Sequence, residues 1–432
     1  MALRIMRQKV VLFVFIFTIV LTSCTIEPKL SSEVADSKSL TIAVLGAPSC
    51  EFNKYISYYH EKYPDIVIEF IQDEHIHHHN DDSDLDDCDE DSFFEKTYTD
   101  LLNGDKKADL IILNSYNMIS FVQDGLIIDI SQNEAIRAAF DNQEMMDGVK
   151  RLCSYDDVIA GVPLNIHYQG LAVNQQLFDL LGIAPPSYEW TYDDLYILGQ
   201  SLNQYNIESD NNTYLMMPER TSCRYINPIY GIDMEQRIAG FANQRFIDYM
   251  QKGKDLDEMK LFYYPDHLYI NSMNDLLNLK YSENMLFHEV LYSELHDYDN
   301  ARFKDMFILP LPQVMGYPPS FSAILLCISS NAENMDIAEH FLASFICEEY
   351  QYENAFEMQI YKDASKYSIM GDYSFHVAEW IAYTTEHSAP LNMPLHFWEW
   401  YNTLELPQGT RDSIDFSQWA HSTQIDAQSH MH

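Results

Sequence analysis

The chain is short of positive charge: 26 Lys and Arg stand against 66 Asp and Glu in 432 residues, a formal net charge of −40. Phosphate backbones are bound by clustered cations that displace counterions, so a role on nucleic acid is excluded. Catalytic signatures are missing as well. There is no Gly-x-Ser-x-Gly elbow, no His-Glu-x-x-His pair and no Ser-x-x-Lys with supporting partners. Carboxylates are too numerous for any two to stand out as a glycosidase acid and base, so an extracellular hydrolase is the weaker alternative and no enzymatic activity is expected. No internal repeat is visible. What the chain does have is 47% hydrophobic residues, enough to bury a sizeable core, and room for two or three domains.

Residues 1–23 have the organisation of an export signal. Arg4, Arg7 and Lys9 form a basic start, and Val10 to Leu21 is an apolar run of 12 broken only by Thr18. Twelve residues are too few to span a bilayer as a helix, which takes about 20. The run ends Leu21-Thr22-Ser23-Cys24, which resembles the bacterial lipobox, whose Cys is acylated and begins the mature chain. Loss of the signal would remove three cations and no acid. Residues 24–38 are polar and aperiodic, with Pro28, Ser31, Ser32 and Ser37, and read as a tether. A lipid-anchored body on the outer face of the cell membrane, or in a periplasm, works on extracellular material. Of the six later cysteines, Cys327 lies in an apolar strand and Cys347 ends an amphipathic helix, so that pair reads as buried thiols; whether others form disulfides is left open.

From Leu40 the pattern alternates between two periods. Strands are expected at Leu40–Leu45, Ile66–Ile71 and Ala108–Leu113, and helices at Phe52–Tyr63 and Phe93–Leu102. Strands apolar on both faces and separated by helices indicate a parallel sheet covered on two sides, an α/β fold. Further on, Thr191 as N-cap, Asp194 at N3 and Trp190 packed back onto Leu195 predict a capped helix. Ile337, Ala338, Phe341, Leu342 and Phe345 line one face of another.

The order of segments resembles the extracellular solute-binding proteins of bacterial ABC importers, the carbohydrate-type group (family 1) that includes maltose-binding protein. The resemblance is carried by Asp109–Leu113 after the Asn103-Gly104-Asp105 turn, and by Gly125-Leu126-Ile127-Ile128-Asp129-Ile130. Gly161-Val162-Pro163 leading to Gly170-Leu171-Ala172-Val173-Asn174, Leu181-Gly182-Ile183-Ala184-Pro185-Pro186 with Trp190, and Phe307–Pro312 with the Cys327 strand complete it. The family's Gly-x-Ala-Ala-Met element is replaced by Tyr281-Ser282-Glu283-Asn284-Met285, and its later Gly-x-Pro is absent near Ile360–Asp363. The resemblance implies a two-lobe, type II periplasmic-binding-protein-like fold, each lobe a mostly parallel sheet flanked by helices, with hinge crossovers. Lobe 1 is expected over 39–164 plus 303–360, lobe 2 over 165–302 plus 361–432. It also implies a monomer that captures a small solute, most simply a carbohydrate, and delivers it to ABC permease subunits, touching the membrane through its anchor alone. A sensory lipoprotein of the same fold is not separable by sequence.

In such folds ligands bind outside the carboxyl ends of the strands. That points to Ser49 after the first strand and to Asn114, Ser115 and Tyr116 after the third, where Asn114-Ser115 serves equally well as a helix cap. His167 and Tyr168 stand at the crossover, either as ligand contacts or as parts of a hinge strand. Glu289 and Tyr292 occupy a place where the family often carries a ligand contact, and Trp398 and Trp400 resemble its late aromatic segment, one of the two being core. Tyr225 is a further aromatic candidate. Aromatic faces with polar partners suit sugar rings, and also cations.

Residues 73–91 form a separate feature, an insert in lobe 1 with ten acids and four histidines, His75, His77, His78 and His79. Imidazoles suit zinc, copper and nickel, so the insert is either a solvated acidic loop or a capture site for a divalent metal such as zinc. It lacks the Gly and closing Glu of a calcium loop. No other cofactor is expected, and a metal-binding lipoprotein is the rival function this insert suggests.

Overall fold

The computed structural model describes residues 39–44, 50–72, 90–105, 107–210, 212–217, 232–233, 238–263, 283–292, 307–354, 359–363, 366, 375–390 and 416–430. The N-terminal signal, Cys24, the tether and the histidine residues of the insert lie outside them.

The chain opens with β1 (Ser39–Val44), the helix Cys50–Lys62 and β2 (Val67–Gln72), then the helix Glu90–Asn103 and β3 (Leu110–Asn114). β1 pairs in parallel with both β2 and β3, as helices between strands require. The first helix puts Phe52, Tyr55 and Tyr59 on its buried side, at spacings of three and four. The Tyr55 and Tyr59 hydroxyls are tied inside: Tyr55 donates to the Phe341 carbonyl at 2.5 Å and Tyr59 meets His340 Nδ1 at 2.8 Å.

The short helices Met118–Gln123, Glu134–Asp141 and Asp147–Leu152 follow, then the hairpin of β4 (Ser154–Tyr155) and β5 (Val158–Ile159), β6 (Val162–His167) and β7 (Gln169–Val173). The second half adds the helices Gln175–Leu181 and Tyr192–Ser209, the two-residue strands β8 (Ile232–Asp233) and β9 (Ile238–Ala239), the helix Gln244–Glu258, β10 (Phe287–Leu291) and β11 (Ile308–Pro310). β12 (Ser320–Ile328) then returns to the first sheet, followed by the helices Met335–Ile346, Glu348–Asn354 and Phe375–His387, β13 (Ala389–Pro390) and the helix Phe416–His430. The Thr191–Asp194 capping box read from the sequence is present in both directions.

The strands form a six-stranded sheet in the order β13-β12-β3-β1-β2, with β6 also on β12. β12 is antiparallel to β3, Cys327 opposite Ile111, and antiparallel to β6, Ser322 opposite His167. Asp109, just before β3, is 2% exposed. Its carboxylate accepts the Thr41 N–H at 2.9 Å and the N–H groups of Glu333 and Asn334 at 2.9 and 2.8 Å. One buried charge thus fixes β1, β3 and the start of the helix Met335–Ile346.

The second sheet is three-stranded, β10-β7-β11, and antiparallel throughout. The expectation of a mostly parallel sheet in each lobe does not extend to these strands. β7 enters from the first sheet, and β10 and β11 both run back against it, so no helix is needed between neighbours of opposite direction.

Buried side chains fall into two clusters. Because strand side chains alternate, this sheet is divided between them. Ala172, Val290, Tyr292 and Ile308 belong to the first cluster; Leu171, Val173, Phe287 and Leu309 belong to the second. The helix Phe375–His387, expected with the second lobe, contributes Val377, Trp380 and Ile381 to the first cluster, and Ile360 and Tyr361 pack there too. Trp380 is drawn in by Gly170: a Cβ there would lie 2.7 Å from the indole. The other side of this helix reaches across, Tyr383 lying 4.9 Å from the Tyr188 ring. Phe416–His430 supplies Ala420 and Ala427 to the second cluster. Cys153, Cys327 and Cys347 are free thiols, the first two fully buried.

Candidate functional site

The candidate site is built where β3, β12 and β6 end together. Ser115 extends the β3–β12 ladder by one step: its N–H donates to the Ala323 carbonyl at 2.8 Å, and its hydroxyl oxygen accepts the Ala323 N–H at 3.0 Å. Next along β12 is Ser322, paired with His167 of β6. The Ser322 hydroxyl lies 3.5 Å from His167 Nδ1. Asn114 donates its amide to the hydroxyl of half-buried Tyr116. The structure therefore gathers Asn114, Ser115, Tyr116 and His167 at one end of one sheet.

Neither Asn114 nor Ser115 caps the helix Met118–Gln123; Asn117 holds that position. Its backbone, φ −87° and ψ −14°, is helical rather than extended, and its side chain makes no cap bond, since capping wants the β region. Asn117 is 0% exposed. Among the described residues, both polar atoms of its amide lack a hydrogen-bond partner. A buried amide left unpaired costs about 1–3 kcal/mol, and in native structures such groups mark a partner from outside the chain or stored strain. No periodicity or motif signals this residue; only its place three positions after Asn114 hints at it.

His167 reaches solvent yet is hemmed in by protein at the crossover, and this desolvation lowers its pKa from the usual imidazole value. Its neighbour turns the other way. Tyr168 is 0% exposed, donates its hydroxyl to the Gln359 carbonyl at 2.8 Å, and meets the rings of Tyr292 and Trp380 edge-on at 5.8 and 6.4 Å. Burial pushes its phenol well above the ordinary range. Tyr292 is buried beside it. These two candidates are core residues here, consumed by the first cluster because the alternation that exposes His167 buries the next residue.

Glu289 is buried on the opposite face of the crossover sheet, that of Leu171 and Phe287, and accepts the Gln169 amide at 2.7 Å. Ser49, Tyr225, Trp398 and Trp400 lie outside the described residues. So do His75, His77, His78 and His79. Among the described residues no group of three His, Cys, Asp or Glu is placed to hold a metal ion, and no helix is long and apolar enough to cross a membrane.

Residues 51–209 match the sequence profile of the family described as bacterial extracellular solute-binding protein. Solved structures agree along nearly the whole chain. The ABC substrate-binding protein of Listeria monocytogenes in complex with cycloalternan is 14% identical, with 92% of this chain and 99% of that one aligned at a TM-score of 0.64. The GacH receptor of Streptomyces glaucescens, solved unliganded and with acarbose, is 12% identical, with 92% and 99% aligned at 0.63. Maltose-bound MalE3 of T. maritima is 14% identical, with 91% and 97% aligned at 0.57. The fold is that of the extracellular solute-binding proteins. The resemblance read from the order of sequence segments, to the carbohydrate-type group that includes maltose-binding protein, therefore holds. A comparison with curated sequences finds no match. In open α/β sheets ligands bind outside the carboxyl ends of the strands, and it is at such an end, of β3 and β6, that Asn114, Ser115, Tyr116 and His167 lie.

The lowered pKa of His167 has a sign that can be measured. The unfolded chain takes up a proton at this position before the folded one, so stability contributed by the neutral ring is complete above the ordinary imidazole range and is lost as pH falls through it. Urea unfolding of His167→Gln between pH about 5 and 7.5 is expected to show a shallower loss of stability toward acid than the unsubstituted protein. Parallel pH profiles would remove this assignment.

Proposed function

We propose that the chain is the lipid-anchored, extracellular solute-binding component of an ABC importer. It captures a small carbohydrate between two closing lobes and delivers it to membrane permease subunits, without catalysing a reaction. The observation that carries this reading is the uncharged rim at the end of the first sheet. Asn114, Ser115, Tyr116, Ser322 and neutral His167 offer donors and acceptors without net charge, and the buried Asn117, whose amide is unpaired among the described residues, follows Tyr116 directly in the chain. Hydroxyl-rich solutes need such bidentate, neutral partners. Solved proteins of the same fold bind cycloalternan, acarbose and maltose. Capture works through differential affinity: moving an open–closed equilibrium from 1:99 to 99:1 takes about 5.5 kcal/mol, which contacts from both lobes can supply. The acyl group at Cys24 keeps the captured solute near the permease, with residues 24–38 as the tether.

Thermal unfolding in the presence of oligosaccharides, sugar alcohols, short peptides, polyamines and zinc separates the ligand classes, because a compound bound by the native state alone raises the transition. Carbohydrates are expected to give the largest shift; a shift with zinc or polyamines alone would overturn the carbohydrate reading. Asn117→Leu removes two unpaired buried polar atoms at similar volume. It is expected to leave the unfolding free energy unchanged or about 1 kcal/mol higher and to weaken carbohydrate affinity at least about tenfold. Lower stability with intact affinity would make Asn117 a structural residue. Cys24→Ala is expected to move the protein from the membrane fraction to the soluble one, and retention would refute the anchor.

A further inference from the structure

A second concave site lies in the other half of the molecule, lined by the start of the helix Tyr192–Ser209, the helix Gln244–Glu258 and the turn after β11, with a volume of about 330 Å³. That is at the lower end of small-molecule pockets. None of the residues at the end of the first sheet lines it.

Four charged residues line it, Asp193, Arg245, Asp248 and Lys252. Lys252 is engaged by Asp193 at 2.6 Å. Arg245 and Asp248 stand at i and i+3 on one helix, where opposite charges commonly pair. Here they do not: Asp248 takes the Gln244 amide on one oxygen at 2.8 Å, and among the described residues the Arg245 guanidinium has no ion-pair or hydrogen-bond partner. The other described arginines, Arg137 and Arg151, also have no carboxylate partner among the described residues; what matters for Arg245 is that it lines this pocket together with Asp248. One cation and one carboxylate oxygen are therefore presented side by side to the same pocket.

The walls are of a different character. Buried Tyr192 and Tyr249 meet edge-on at 4.7 Å, and the turn Val314–Tyr317 adds Met315 to the lining. Met315 has φ 54° and Gly316 φ 89°, the primed turn that asks for glycine or asparagine at its first position. A methionine held in the left-handed region is strained, and such strain gathers where a side chain is needed in place. Its thioether adapts to apolar groups.

We propose that this pocket is a second ligand site that takes a free α-amino acid with an apolar side chain. The α-carboxylate pairs with the fork of Arg245, the α-ammonium with Asp248, and the side chain lies against Met315 and the tyrosines. A zwitterion carries no net charge, so the acidity of the protein does not oppose its approach. The site is independent of solute capture at the end of the first sheet.

Calorimetric titration of the full-length protein with L-leucine, L-methionine and L-phenylalanine tests the site, with 4-methylpentanoate and isoamylamine as single-charge analogues of leucine. Binding of at least one amino acid tighter than about 1 mM is expected, weakened at least tenfold in Arg245→Gln and in Asp248→Asn, and at least tenfold weaker for both analogues. Both residues are exposed, so the variants are expected to keep the thermal transition and any carbohydrate-induced shift of the unsubstituted protein. No heat from any of the three amino acids would overturn the proposal. So would affinity unchanged by both substitutions, or 4-methylpentanoate binding as tightly as leucine.

Discussion

The arrangement depends on one buried carboxylate. Asp109 collects donors from β1 and from the turn that starts the helix Met335–Ile346, while its own N–H donates to the Thr41 carbonyl at 2.9 Å and its carbonyl accepts the Ser329 N–H at 3.0 Å. Segments separated by more than 200 positions are thereby set against one another. A buried charge is tolerated when its lone pairs are met by well-placed donors; three here are backbone N–H groups, two of them at a helix start where they would otherwise be orphans, and the Asn334 side-chain amide adds a fourth at 3.3 Å. With that end of β1, β3 and β12 pinned, register alone brings Asn114, Ser115, Ser322 and His167 to the other end. The site is the far consequence of the clamp.

The second constraint is the crossover sheet. A strand with both faces buried ordinarily belongs to one domain; β7, β10 and β11 give one face to each cluster. Any rearrangement of the two halves must therefore pass through these three strands and the helix Phe375–His387, which lies on Gly170 through Trp380 and touches Tyr188 through Tyr383. This suits hinge motion, in which a few element ends absorb the change while packed faces move as units.

Much of the first sheet is legible in the sequence because its segments are long and strongly patterned. The strands begin and end within two residues of expectation at Ser39–Val44, Val67–Gln72 and Leu110–Asn114, and the Thr191–Asp194 box is a purely local signal. What fails is tertiary. Tyr168 and Tyr292 have the chemistry of ligand contacts; alternation sets Tyr168 apart from exposed His167, but that its face is covered is decided by packing, Trp380 on Gly170 included. The helix Phe375–His387 joins the first cluster because of that same contact, which no sequence window contains. Asn117 escapes notice for the opposite reason. Its importance lies in bonds it does not make, and an unmade bond has no pattern.

If the two halves close on an uncharged solute, as proposed, the molecule becomes more compact on binding. Small-angle X-ray scattering of the protein with Cys24 replaced by Ala, alone and saturated with the carbohydrate that stabilises it most, measures this directly. The radius of gyration is predicted to fall on saturation, with the inter-lobe distances shortening while each lobe keeps its own dimensions. An unchanged scattering profile at saturating carbohydrate would contradict the claim.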